Sequence, residues 1–498
     1  MSPGMATGSN ATLRSIPLRS TSPPKVGRPF DRTQVRPRPP GPGGGPACPE
    51  RSRRERLRTG RRDGPIRLVC VDHLATQECG RGLYRTLARS GEVELTLVIP
   101  PLWRDNFRDI PADRPLAPAD GDRGLGRASS DLFAVTILPI LFPGKSNRCI
   151  HPGLGRLLRN IRPDAVFVQA EPEDFLLSQL LLLRAVHRLN FRLIFITWRN
   201  IPYPRFGIPY KFAWVYACTE FLGLRGADHC FAFNAAGRET LNARGFHAID
   251  VIPPAIDTSF FQPTDGRAVR DALGLKHFSI GFFGRFVSEK GGELLLDAMA
   301  GLDHPTQLLL VGNGPAREAW LEKARQLKIA DRVIHKPSIL RSEVPAHLCA
   351  CDVVVLPSYA TRTWKEQFGR VLVEAMACGV PVIGSDSGEI PRVIGDAGLI
   401  FPEKSGPGLR DCLKRIIEDP ALRRRLIALG RARAEREYSC AAVAAAWLRA
   451  IRNLLARPRP TRAGGRQEAS PPTAQAGRGR RASPPAGGLR SASSGGRP

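Results

Sequence analysis

Short apolar runs of strand length recur along this chain, each separated from the next by a segment with helical spacing. No other feature limits the possible folds as strongly. The first series comprises Ile66–Val71, Val93–Ile99, Ala165–Val168, Leu193–Thr197 and His229–Phe233, with helical segments at Gly80–Ser90 and Asp174–Leu189. A second series begins after Val251–Pro254. Its runs are Ser279–Phe283, Gln307–Val311, Val333–His335, Val353–Leu356, Val380–Ile383 and Leu399–Phe401. Helices are expected at Pro315–Leu327 and Phe368–Ala377, and a last one, capped by Ser439, through Leu455. Strand and helix in alternation build parallel sheets with helices on both faces. Two such series predict an α/β chain of two Rossmann-like domains facing a central cleft. The expected boundaries are 63–254 for the first domain and 255–436 for the second. Residues 437–456 are expected to form a helix packing back toward the first.

The chain has 498 residues and a formal charge of +28. That excess invites a nucleic-acid reading, but its distribution argues against one. Residues 1–62 carry a net +11 and residues 457–498 a net +8, which leaves +9 for the 394 residues between. Both ends are rich in Pro, Gly, Ser and Arg. They lack the apolar periodicity needed to offset the entropy of ordering, so both are expected to be disordered. No specific nucleic-acid partner is therefore expected. The first tail has no apolar stretch of the signal-peptide kind; its Arg-rich, acid-poor character leaves a transit peptide or an over-extended reading frame open. The longest apolar run, Val135–Pro143, is far short of the ~20 residues that cross a bilayer. The 11 cysteines are scattered and read as reduced thiols. Together these features lead us to expect a cytoplasmic protein.

The sharpest chemical signal is a pair of carboxylates eight residues apart, Glu366 and Glu374, followed by Gly379-Val380-Pro381-Val382. Glu366 is expected in the loop after Val353–Leu356, and Glu374 about two turns into the next helix. Fully helical spacing would separate them by ~12 Å, roughly the span from sugar ring to ribose in a nucleotide sugar. The helix N-terminus between them offers free N–H groups and a positive dipole end, which suits a diphosphate. Two carboxylates alone could equally be a solvated helix face. A second signal is Gly284-Arg285 followed by Lys290-Gly291, between a strand end and a helix. Open α/β sheets bind ligands there, and Arg and Lys are phosphate-gripping side chains. Gly312 and Gly314 mark a further turn at a strand end.

These stretches resemble glycosyltransferase family 4, retaining enzymes of GT-B fold built around a glycosyl transferases group 1 domain. The likeness runs through Gly388-Glu389-Ile390-Pro391 to Gly398–Phe401. It covers some 120 residues well and about 390 loosely. The resemblance implies a transferase acting on a nucleoside-diphosphate sugar, which is its donor substrate, with no cofactor and no metal. It implies that Glu366 contacts the transferred sugar and Glu374 the ribose hydroxyls. Phe368, Gly369 and Gly284 would offer backbone contacts, and Arg285 and Lys290 would neutralise the diphosphate. Gly312 would lie near the nucleotide and Ser338 near the base. Residues 63–254 would then receive the acceptor: a glycan, a lipid-linked molecule or a small molecule, in envelope or exopolysaccharide synthesis.

The first half departs from the family pattern. Cys79-Gly80-Arg81-Gly82 stands where many members carry a Gly-Gly pair. Gln169–Glu173 and Trp198–Asn200 stand where a histidine is usual. Glu171, Glu173, Arg199, Asn200 and His73 are the polar groups at strand ends, and Glu171, Asn200 and His73 are the acceptor-side candidates. Tyr203–Leu224 reads either as a buried core helix or as a membrane-facing one. With the basic tails, it makes peripheral contact with an anionic inner membrane face a candidate interaction. Two rival functions remain at this level: a sugar-nucleotide epimerase on the same two-domain frame, and a basic nucleic-acid binder.

Overall fold

The computed structural model describes residues 64–104, 109–113, 126–130, 132–202 and 212–458. The expectations for residues 1–62, for 459–498 and for 203–211 fall outside these.

The first domain is built on an eight-stranded sheet. Its strands in chain order are β1 (Ile66–Val71), β2 (Val93–Ile99), β5 (Gly126–Ser130), β6 (Phe133–Ile137), β7 (Ala165–Val168), β8 (Arg192–Thr197), β9 (His229–Ala232) and β10 (Ile249–Val251). A small hairpin of β3 (Leu102–Arg104) and β4 (Asp109–Pro111) stands apart from it. Across the sheet the order is β10-β9-β8-β7-β1-β2-β6-β5. Every pairing is parallel except β5 with β6. Both faces are covered, so the strands read as nearly unbroken apolar runs. Leu68 and Cys70 enter the core on one face, and Val69 and Val71 the core on the other.

The second domain has six parallel strands: β11 (Phe278–Phe283), β12 (Thr306–Val311), β13 (Val333–Lys336), β14 (Val353–Leu356), β15 (Val382–Ser385) and β16 (Leu399–Phe401). Their order is β13-β12-β11-β14-β15-β16. The same division of side chains recurs, with Val353 and Val355 in one core and Val354 and Leu356 in the other. β12 and β14 flank β11, so the strand order reverses there, which creates the crevice at the strand C-termini where such sheets bind ligands.

The final helix, Cys440–Ala456, starts from Ser439, whose hydroxyl accepts the Ala442 N–H at 3.2 Å. It buries Val443, Trp447 and Ile451 in the core of the first domain. The Trp447 ring lies 4.3 Å from Phe167 and 5.0 Å from Phe231. The chain thus crosses back to the first sheet, beside the bridge between Ile256 and Ser439.

Among the boundaries that differ from the expected ones, two have identifiable reasons. β15 begins at Val382 rather than Val380, because Pro381 has no N–H to give a ladder and serves only through its carbonyl, to Val354. The helix expected from Phe368 begins at Arg370, because Gly369 takes a left-handed φ of 82°. Part of the run Val135–Pro143 forms β6. No helix among the described residues is long and apolar enough to cross a membrane.

Candidate active site

The loop that leaves β14 carries Glu366, and the helix that follows, Arg370–Ala377, carries Glu374. Lys290 closes a single 3-10 turn, Ser288–Lys290, after β11. These segments meet at the C-terminal ends of adjacent strands. The Lys290 ammonium donates to Glu366 Oε2 at 2.6 Å, and the Ser358 hydroxyl donates to the same oxygen at 2.8 Å. Both charged side chains are largely withdrawn from solvent, at 14% and 9% exposure. Lys290 also sits 5.1 Å above the Trp364 ring.

Glu374 faces two guanidinium groups. Arg341 donates to its Oε1 at 3.0 Å, and Arg370, one turn earlier on the same helix, stands 3.7 Å from that oxygen. Arg341 is steadied by the Phe261 ring, 4.9 Å away. Lys290, Glu366, Glu374, Arg341, Arg370 and Trp198 line a single cavity of about 370 Å³. The backbone of Phe368 and Gly369 completes its wall; the Phe368 ring is buried, 5.4 Å from Tyr438. Cations thus surround two buried carboxylates at a helix N-terminus, an arrangement that can take up an anionic group and hydroxyls together.

The Glu366 backbone is fixed from several sides. Its carbonyl accepts the Glu389 N–H at 3.2 Å and the Asn200 amide at 3.0 Å. Gly388 lies directly against it with φ of 58°, and a Cβ there would overlap the Glu366 carbonyl oxygen. Gly388→Ala is therefore expected to lower the melting temperature and remove any activity that depends on Glu366. Thermal unfolding and turnover of the same preparation check this; a variant with wild-type melting and turnover would contradict the packing argument.

The remaining candidates divide. Gly284 and Gly312 form a close backbone contact: the Gly284 N–H donates to Val311 at 3.0 Å, and a side chain on Gly312, at φ of 137°, would collide with the Gly284 carbonyl. Arg285 is exposed, makes no ion pair among the described residues and does not line the cavity. Ser338 is exposed in the loop after β13 and also lies off the lining.

On the first-domain side, two acceptor candidates are used differently from the expectation. Glu171 turns back onto its own sheet, accepting the Thr197 hydroxyl and the Trp198 N–H, each at 2.7 Å. Burial raises its carboxyl to about 7, against the opposing pull of Arg199. Asn200 reaches across to the backbone of residues 365 and 366 instead of facing an open cleft. Glu173 and Arg199 pair with each other at 2.5 Å, and Arg199 also meets Glu220 at 2.9 Å. These strand-end polar groups brace the Trp198–Asn200 loop, a use that sequence alone does not distinguish from ligand binding.

His73 does line a cavity, a second one of about 290 Å³ that shares Trp198, Arg341 and Arg370 with the first. Its ring stacks on Trp103 at 4.0 Å, and its Nδ1 has no hydrogen-bond partner among the described residues. Burial, aided by nearby His151, lowers its pKa to about 3, so the ring is neutral at ordinary pH. Trp103, Trp198, Phe233 and Phe167 give this cavity an aromatic wall. The sequence reading missed Arg341, Arg370 and Trp198 as lining residues. Arg370 was the most findable, since it lies four residues before Glu374 on one helix face.

Residues 270–433 match the family model described as Glycosyl transferases group 1. Among curated proteins, the chain is similar to D-inositol 3-phosphate glycosyltransferase of Segniliparus rotundus, 35% identical over 157 residues, 30% of this chain and 34% of that protein. It is also similar to the protein of that name from Stackebrandtia nassauensis, 33% identical over 196 residues, 36% of this chain and 43% of that one. The chain thus spans about a third to two fifths of the length of these relatives. Among solved structures, sucrose-phosphate synthase from Thermosynechococcus elongatus superposes with a TM-score of 0.55 at 22% identity, covering 78% of this chain and 99% of that one. Anabaena HepE, solved with UDP and glucose, superposes with a TM-score of 0.57 at 17% identity, covering 78% and 100%. Such distant likenesses speak to fold, and they agree with the two parallel-sheet domains described above. Residues 270–433 thus carry the likeness to the glycosyl transferases group 1 family, within a two-domain α/β framework of the GT-B kind.

Proposed function

We propose that this protein is a retaining glycosyltransferase that moves a sugar from a nucleoside-diphosphate sugar to a hydroxyl-bearing acceptor. The observation that carries this reading is the single cavity in which the Lys290–Glu366 pair and the Arg341–Glu374–Arg370 cluster stand at one helix N-terminus. In this reading Glu374 accepts hydrogen bonds from the ribose hydroxyls. Lys290, released from Glu366 or shared with it, stabilises charge on the departing diphosphate. Glu366 holds the sugar. Arg285, exposed beside the site, contributes when a donor draws it in. The bond from the anomeric carbon to the diphosphate breaks, and a bond to the acceptor oxygen forms on the same face. The acceptor's proton passes to the leaving phosphate oxygen, so no separate protein base is required.

The acceptor is assigned to the aromatic cavity around His73, because it shares Trp198, Arg341 and Arg370 with the donor cavity. Carbohydrate, lipid-linked and small-molecule acceptors all fit the reading. The relatives named for D-inositol 3-phosphate and the neighbour solved with UDP nominate the first acceptor and the first nucleotide to try. A cytoplasmic site of action, at or near the inner membrane face, belongs to the same proposal. The exposed Trp214, Phe221 and Leu222 of helix Ala213–Gly226 are the described residues suited to membrane contact.

The test is nucleoside-diphosphate release from a panel of sugar nucleotides, with and without acceptors. Release that rises with acceptor supports transfer. Conversion of donor to an isomeric sugar nucleotide without release would favour an epimerase. Lys290 and Arg285 stand in for a divalent cation here, so activity is expected to survive saturating chelator. Loss of activity that manganese or magnesium restores would overturn that assignment.

A further inference from the structure

Two asparagines of the first domain reach into the loop that carries Glu366. The Asn200 side-chain Nδ2 donates to the carbonyls of Lys365 at 3.3 Å and Glu366 at 3.0 Å. The Asn234 Nδ2 donates to the carbonyl of Gln367 at 3.0 Å. Three consecutive carbonyls of the second domain are therefore held by side-chain amides of the first. The orientation of Asn234 is fixed independently: its Oδ1 accepts the Gly237 N–H at 2.7 Å as the N-cap of helix Ala235–Asn242, which leaves only the NH2 to face Gln367. Both side chains are buried, at 5% and 1% exposure.

Each asparagine is in turn braced from its own domain. Asn200 follows Arg199, whose guanidinium is pinned between Glu173 and Glu220, with Arg244 on the far oxygen of Glu220 at 2.6 Å. Asn234 stands two residues past the end of β9 and caps a helix. The carbonyls they hold belong to the residues flanking the Glu366–Lys290 pair, so a shift of this loop moves the Glu366 carboxylate relative to Lys290.

We propose that Asn200 and Asn234 are positioning residues: bonded across the cleft to the carbonyls of residues 365–367, they set the Glu366 carboxylate for the donor sugar only when the two domains are closed. The inference rests on the donor-site reading above and adds that first-domain residues control sugar placement but not nucleotide affinity. Glu374 and its arginines lie wholly on second-domain segments, so a free nucleoside diphosphate should not sense the asparagines.

The informative variant is Asn234→Asp. Aspartate keeps the N-cap acceptor but removes the donor and sets a carboxylate against the Gln367 carbonyl. Asn200→Asp removes the second amide in the same way. UDP, GDP, ADP and TDP are first titrated against the wild-type chain, and the nucleotide that binds is used with its glucose conjugate as the probe. The expected result for each variant is a chain that still folds cooperatively, with a melting temperature lowered by the buried carboxylate, an unchanged Kd for the free diphosphate, and a kcat for diphosphate release from the conjugate lowered ~10-fold or more. The double variant should lose more than either single one. Unaltered kcat in both variants would overturn the proposal. So would a parallel loss of free-diphosphate affinity, since the asparagines would then be supporting the whole domain. Failure of the wild-type chain to bind any of the four diphosphates would instead sink the donor-site reading itself, and the inference with it.

Discussion

Lys290→Ala is expected to slow sugar transfer ~10²–10³-fold with every acceptor, the usual loss on removing one preorganised contact to a developing anion. The expectation follows from its place in the cavity, where its ammonium lies 2.6 Å from Glu366 and close to a helix N-terminus. The same substitution leaves Glu366 with the Ser358 hydroxyl but without its cation. A carboxylate left so uncompensated lowers stability, so melting must be measured beside rate. Lys290→Arg separates the two effects: it restores the charge and the fold but not the point-like geometry. It should recover melting temperature more fully than turnover. Wild-type rates in Lys290→Ala with more than one acceptor, and in donor hydrolysis by water, would remove Lys290 from the mechanism. Arg285→Ala is the companion test. If Arg285, exposed in this structure, is drawn in by the donor, its loss should fall on the same step.

Glu374→Ala is expected to weaken nucleoside-diphosphate binding by roughly 1.5–3 kcal/mol, about 10–150-fold in Kd, the range for a hydrogen bond to a charged group. Two opposed consequences meet here. The ribose loses an acceptor, while Arg341 and Arg370 lose their carboxylate and become free to grip phosphate. The second predicts that affinity for inorganic phosphate rises in this variant while that for the nucleoside falls. Glu374→Gln keeps hydrogen-bonding capacity without charge and should fall between wild type and alanine. An unchanged Kd in Glu374→Ala would place the ribose elsewhere.

The second-domain side of the candidate site was legible in the sequence because its residues lie in contiguous stretches. Glu366 and Glu374 are eight residues apart on one loop and one helix, and Lys290 ends a short turn after a strand, so local reading placed all three. The strands were legible for a related reason: sheets covered on both faces demand unbroken apolar runs, and β1, β2, β7, β14 and β16 fall where those runs lie. What could not be read was the partnership between distant segments. Arg341 meets Glu374 across 33 residues, and Asn200 meets Glu366 across 166. Neither pairing leaves a periodic trace. Glu171 illustrates the opposite error, since a carboxylate at a strand end looks the same in sequence whether it faces a ligand or accepts from Thr197 and Trp198.

Calorimetric titration of UDP, GDP, ADP and TDP into the wild-type chain and into Glu374→Ala tests the central claim most directly. The account predicts that at least one of the four binds the wild type, that metal-free buffer does not prevent it, and that Glu374→Ala weakens it ~10-fold or more. The bound state should also unfold later, since a ligand at 100 times its Kd adds about 2.7 kcal/mol. Absence of binding by all four, or binding with equal affinity to wild type and Glu374→Ala, would contradict the assignment of this cavity as a nucleotide-sugar site.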